Sequence, residues 1–275
     1  MLALLLVMIL VAGGAIVPAV QASPFESGET VARHLQKRFD ETMSDCGSPT
    51  RPAFLCSGIL MRSTKYSAGY HSWIPNPASA PWGVSFSWLR QDSNFNVNYP
   101  SGNGFVIYPH FYADDGNYEL LKVRCAYAND AGTGAPDRCN STGIPPVCRK
   151  LGVTTAEQWV ARFAGGRDQC AFEVTQGIPS TAFAWMQMVK VRQIKTFITH
   201  NEIILAAWPQ TTYARMPIEA FFYRTNANGL ASARLDQQDF KKMAGRWVPI
   251  IRWTPTIGSA RATFTYNVAD QAIWQ

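Results

Sequence analysis

Three kinds of side chain stand in this sequence where they could do chemistry: a glutamate among aromatic residues, an arginine closing an apolar run, and two serines one residue apart. The glutamate is Glu219, within Pro217-Ile218-Glu219-Ala220-Phe221-Phe222-Tyr223. Strands alternate their side chains, so period two predicts Ile218, Ala220 and Phe222 on one face and Glu219, Phe221 and Tyr223 on the other. A carboxylate against two rings loses hydration, which is costly without a partner or a raised pKa, and perturbed carboxylates gather at functional sites. The plainer reading is a glutamate at a solvent edge, or one paired with a structural arginine.

Arg62 ends the run Cys56-Ser57-Gly58-Ile59-Leu60-Met61-Arg62, from which its guanidinium could grip a phosphate or carboxylate with two parallel hydrogen bonds. Ser63 adds a hydroxyl beside it, although an ordinary ion pair would also explain the arginine. Tyr70-His71-Ser72-Trp73 offers one titratable imidazole, His71, as a candidate acid or base, with Trp73 as a stacking face. A lone histidine is more often simply hydrogen-bonded. Ser85 and Ser87 share a strand face that could position a ribose or phosphate, and Arg90 at its end is a reserve cation. Serines on the outer face of an antiparallel strand also need no special cause. Asp236-Gln237-Gln238-Asp239-Phe240 reads as a solvated helix face. No Gly-x-Ser-x-Gly elbow supports an α/β-hydrolase, and no Cys-x-x-Cys or His-x-x-x-His spacing supports a metal.

The elements that must position these groups can be read from periodicity. Val31, Leu35, Phe39 and Met43 recur every fourth residue, which predicts a helix over 27–44 capped by Ser27. Further helices are expected after a capping box at Thr154 and Glu157, after Ser180 with Phe183, Met186 and Val189, and over 230–244 ending at Gly245. Short apolar runs predict strands over 54–63, 84–90, 104–111, 119–127, 202–208, 217–224, 246–253 and 260–266. Neither regular βαβ alternation nor strands alone, this pattern predicts one α+β domain with a largely antiparallel sheet packed by several helices.

Residues 1–22 are uncharged and apolar, then loosen to small residues at Ala22, the build of a signal peptide removed on export, although a membrane anchor has similar length. The expected mature domain, 23–275, has no further stretch suited to crossing a membrane, so a secreted protein with no membrane partner is expected. All six cysteines (Cys46, Cys56, Cys125, Cys139, Cys148 and Cys170) lie in it, and an even number in an exported chain predicts disulfides. Spacing suggests Cys46 with Cys56 and leaves the other four to pair among themselves. A net charge of +6 favours anionic partners, but the basic residues form no run that would mark a stable nucleic-acid partner.

The strings CSGILMR, YHSW, VSFSWLRQDSNF, GFVIYPHF, PIEAFFY, DQQDF and WVPII, in that order across residues 30–271, resemble the halovibrin family of secreted bacterial proteins. The resemblance implies an NAD glycohydrolase related to ADP-ribosyltransferases, with NAD as substrate and no resident cofactor. Such enzymes place, in chain order, an arginine on an early strand, a Ser-x-Ser strand and a late glutamate. Arg62, Ser85 with Ser87, and Glu219 follow that order. Glu219 would then meet the ribosyl cation formed as nicotinamide leaves, Arg62 the pyrophosphate, and Trp73, Phe221 and Tyr223 the bases. The residue two before Glu219 is Pro217 rather than an acid or glutamine, which favours water over a protein acceptor. A second reading is a non-catalytic binding module for glycans or other anionic ligands, suggested by the positive charge and an aromatic content of 12%. A basic nuclease is a third, but four histidines without a paired motif support it weakly.

Overall fold

The computed structural model describes residues 27–43, 46–47, 51, 53–64, 73–74, 83–92, 102–112, 118–120, 123–131, 146–173, 177–197, 199–205, 213, 216–225, 228–255 and 261–273. The expected signal segment over 1–22, His71 and Cys139 lie outside them. Helix α1 (Gly28–Asp40) starts where Ser27 accepts a hydrogen bond from the Thr30 amide, and Glu29, Lys37 and Arg38 complement its dipole. It stops four residues short of the expected end, which leaves Met43 exposed beyond it.

Nine strands form one sheet: β1 (Ile59–Ser63), β2 (Val84–Leu89), β3 (Asn103–Ile107), β6 (Val123–Tyr127), β7 (Phe172–Glu173), β8 (Glu202–Leu205), β9 (Ile218–Arg224), β10 (Ile250–Thr254) and β11 (Thr263–Tyr266). Between β3 and β6, strands β4 (His110–Tyr112) and β5 (Tyr118–Leu120) pair separately. The order across the sheet is β11-β10-β9-β3-β1-β2-β8-β6-β7, parallel at β9–β10 and antiparallel elsewhere. The expected α+β domain with a largely antiparallel sheet is therefore what forms.

Alternation along each strand fills two cores. On one face α1 lays Val31, Leu35 and Phe39 against Met61, Val106 and Phe222. Over the other lie α2 (Ala156–Arg162), α3 (Gly177–Ile194) and α4 (Leu230–Ala244), with Trp159, Trp185 and Phe240 against Leu60, Trp88 and Phe105. Each such large apolar side chain contributes about 1.5–3 kcal/mol through burial. The capping box of α2 is Thr155 with Gln158, one residue beyond the expected pair, because Ala156 is the first helical residue. Helix α3 begins three residues before Ser180 and turns Trp185 and Met188 inward, leaving Phe183 and Met186 exposed. Gly245 ends α4 at φ 71°, the left-handed cap expected there.

Cys46–Cys56 and Cys148–Cys170 are disulfides, Cys125 is disulfide-bonded as well, and no cysteine among the described residues is free. No helix among the described residues is long and apolar enough to cross a membrane.

Gly104 lets β3 approach the end of β1, since a Cβ there would lie 2.0 Å from the Arg62 carbonyl oxygen and 2.7 Å from the Phe222 ring. Gly104→Ala should therefore destabilise the fold by about 2 kcal/mol or more, measured by urea denaturation.

Candidate functional site

Strand β9 does not alternate regularly. Val106 pairs with Ala220 and Ile107 with Ile218, so Glu219 is the extra residue of a β-bulge. The bulge puts Ile218 on the same core as Phe221 and Tyr223, with Ala220 and Phe222 on the other. The Glu219 carboxylate turns toward α1 and lies 2.7 Å from His34 Nδ1, its side chain 1% exposed against 38% for the histidine. Nearby, Arg38 is buried, donating to the Gly58 and Phe54 carbonyls at 2.9 and 2.7 Å. Burial lowers its pKa, while Glu219 and Tyr108 push it back up. The shared face expected for Glu219, Phe221 and Tyr223 is thus not formed. Register sets Arg62 beside Phe105 and Phe221, so Glu219 and Arg62 leave the sheet on opposite sides.

Arg62 instead reaches its neighbouring strand, where Nη1 donates to the main-chain carbonyl of Ser85. Ser85 and Ser87 do share a face of β2, opposite Phe86 and Trp88. The Ser85 hydroxyl donates to Glu202 Oε1 at 2.7 Å, and the Ala131 amide donates to Oε2 at 3.1 Å. Glu202 opens β8 and is 2% exposed. Its place is set by Asn201, whose side-chain amide accepts from Trp88 N at 2.7 Å and donates to Trp88 O at 2.9 Å, continuing the β2–β8 ladder through a side chain. Arg192 braces the approach to β8 by donating to the Ala128 and Thr199 carbonyls, and burial lowers its pKa to about 9. Beside Glu202, the Tyr127 phenol has its pKa raised by burial and, secondarily, by that carboxylate. The Ser63 hydroxyl, next to Arg62, is buried without a hydrogen-bond partner among the described residues.

Ser87 lies 2.9 Å from His200 Nδ1, and Asp130 lies 3.7 Å from His200 Nε2, in the chain of types that activates serine nucleophiles. His200 Nδ1 is also 2.8 Å from the Asn201 carbonyl, which can only accept. That carbonyl assigns the Nδ1 proton, so this nitrogen cannot take one from Ser87.

Other expected site residues meet partners elsewhere. Arg90 is 1% exposed, forks onto Asp92 at 2.5 and 2.8 Å and donates to the Met43 carbonyl at 2.7 Å. Trp73 is buried edge-on against Phe240 and donates to Asp239 at 3.2 Å. Phe221 is a core residue, and the Tyr223 hydroxyl donates to Asp270 at 2.8 Å while accepting from Arg252 at 2.7 Å. Asp236, read from sequence as solvated, is 1% exposed and accepts from Thr64 Oγ1 at 2.7 Å and Asn103 Nδ2 at 3.2 Å. Among the described residues no group of three or more His, Cys, Asp or Glu could hold a metal ion.

The sequence reading missed Glu202, His34 and Asp236. A signal existed for His34, which with Arg38 borders the inward stripe of Val31, Leu35 and Phe39 at helical spacing. Glu202 shows only as a charge opening the apolar run Ile203-Ile204-Leu205.

Removing the Glu219 carboxylate should release α1 from β9: Glu219→Ala is expected to lose about 1–3 kcal/mol by urea denaturation, and Glu219→Gln, which can still accept from the imidazole, less. The chain matches no protein-family model and no curated protein.

Proposed function

We propose that this protein is a secreted NAD glycohydrolase in which Glu202, rather than Glu219, is the carboxylate that meets the ribosyl cation. The observation that carries the reading is the 2.7 Å hydrogen bond from Ser85 to Glu202, with Arg62 bound to the same serine's carbonyl. An early-strand arginine, a Ser-x-Ser strand and a later glutamate thus occupy three successive strands, β1, β2 and β8, in the chain order that the resemblance implies.

Hydrolysis of NAD breaks the bond from the ribose anomeric carbon to the nicotinamide nitrogen. Water supplies the new oxygen, and nicotinamide, ADP-ribose and one proton result. Positive charge develops on the ribose as the ring departs, and a carboxylate fixed by Ser85 and the Ala131 amide meets it without reorganising. A guanidinium presents its donors in one plane and suits a pyrophosphate. With Glu202 in this role the residue two positions before it is His200, again neither acid nor glutamine. Water therefore remains the favoured acceptor.

A binding module that stacks ligands on surface rings draws no support from five of the described tryptophans. Trp73, Trp88, Trp159, Trp185 and Trp253 are at most 1% exposed.

Purified mature protein should release nicotinamide from NAD, followed by chromatography or with a fluorescent analogue. Glu202→Gln is expected to lower kcat by about 100-fold or more, Ser85→Ala less, and Arg62→Ala chiefly to raise KM. Glu219→Gln should stay within about threefold of the parent. A folded Glu202→Gln variant with undiminished turnover, or a parent that leaves NAD intact, overturns the reading.

A further inference from the structure

Thr64 follows Arg62 by two residues, and a closed polar triangle holds it. Its hydroxyl donates to Asp236 Oδ2 at 2.7 Å, Asn103 Nδ2 donates to the same hydroxyl at 2.8 Å and to Asp236 Oδ2 at 3.2 Å, and the Thr64 amide donates to the Asn103 carbonyl at 3.1 Å. The three residues come from the end of β1, the start of β3 and the middle of α4, and none is more than 5% exposed. A helix over a sheet needs apolar contacts alone, so a buried carboxylate aimed at the strand end that carries Arg62 needs another explanation.

We infer that Asp236 is a positioning residue for Arg62: by holding Thr64 it fixes the end of β1, and the affinity for the anionic part of the substrate depends on that hold. The inference rests on the reading of Arg62 as the pyrophosphate anchor.

The state of this carboxyl changes near neutrality. Burial pushes the Asp236 pKa up to about 7, the bonds from Thr64 and Asn103 pull it down, and the charge of Asp239, one turn along α4, adds to the rise. The other charged groups about this end of the sheet have partners of their own. Asp239 takes the Trp73 indole N–H, Arg234 on α4 donates to the Asp270 carbonyl, Arg252 on β10 pairs with Asp270, and Arg62 donates to the Ser85 carbonyl. The ionised carboxylate is the costlier form to bury yet the stronger acceptor for both donors. A neutral carboxyl accepts more weakly and brings a proton that must itself be placed. Arg62 is therefore held most firmly above pH 7.

The test measures kcat and KM for NAD between pH 5.5 and 8.5 in the parent, Asp236→Asn and Thr64→Val, with amide hydrogen exchange at Thr64 on the same samples. In the parent, KM should fall as pH rises through about 7, with kcat moving less. Asp236→Asn should keep a flat KM, on the order of tenfold above the parent's value at pH 8, and Thr64→Val should raise KM similarly. Thr64 amide protection, taken relative to core amides that exchange only by global unfolding, should rise across the same pH range in the parent and not in Asp236→Asn. Stability gives a check that needs no substrate. The folded pKa lies above the ordinary value of 3.8, so this group's contribution is whole below 3.8 and is lost as pH rises through about 7. The parent should lose thermal stability over that interval, and Asp236→Asn should lose less. A parent that cleaves no NAD defeats the functional reading, and exchange at Thr64 then decides the positioning role alone. A parent that cleaves NAD beside an Asp236→Asn variant with the same KM profile overturns the inference, as does unchanged Thr64 exchange.

Discussion

A sheet packed on both faces takes the polar side chains of its strands out of water, and the fold depends on how their hydrogen-bonding groups are met. The solution differs by charge. Buried arginines serve main-chain carbonyls at the ends of elements: Arg38 binds Gly58 and Phe54, Arg90 binds Met43, and Arg192 binds Ala128 and Thr199. Buried acids take hydroxyl, amide or imidazole donors: Glu202 from Ser85 and Ala131, Asp236 from Thr64 and Asn103, Glu219 at His34. A buried charge left without partners costs several kcal/mol. The arginines therefore tie loops to strands, and the acids mark where two elements are locked in register.

Elements with a strong period were legible. The inward stripe of α1, the helix ending at Gly245 and the strands around 84–90 and 217–224 all form close to where spacing and turn residues placed them, because those signals record which side of each element is buried. The Cys46–Cys56 pairing was legible too, since the two are ten residues apart. What failed was long-range. A bulge is set by the partner strand, so nothing within Ile218 to Tyr223 announces that Glu219 will be turned over. The same holds for Asp236: its helix looks amphipathic with or without it, and its burial depends on Thr64 and Asn103, more than a hundred residues away in sequence.

The site residues divide along the same line. Arg62, Ser85 and Ser87 were chosen for their places on expected strands, and the structure brings Arg62 to the Ser85 carbonyl. Arg90 was chosen as a strand-end cation, Trp73 as a ring beside His71, and Phe221 and Tyr223 as rings expected on the face of Glu219, and these types are what the core also uses: rings to fill it and guanidinium groups to close its ends. Side-chain chemistry cannot separate the two uses, and register can.

Register also sets the two glutamates apart. Sheet order β9-β3-β1-β2-β8 sets Glu219 and Glu202 four strands apart. At about 4.8 Å per strand that is roughly 19 Å, too far for both carboxylates to serve one anomeric carbon. Glu219 lies on the α1 side at the far end of its ladder, and its nearest ionisable partner is a half-exposed histidine. Glu202 has the serine of the Ser-x-Ser pair as its donor, and that serine's carbonyl is where Arg62 arrives. Strand carbonyls point along the sheet toward neighbouring strands, so Arg62 meets Ser85 in the plane of the sheet although its side chain starts from the other face. Counted from Arg62 on β1, Glu202 lies two strands away across β2 and Glu219 two strands away across β3, so it is the shared contact through Ser85, and not the span, that favours Glu202 in the proposed reading.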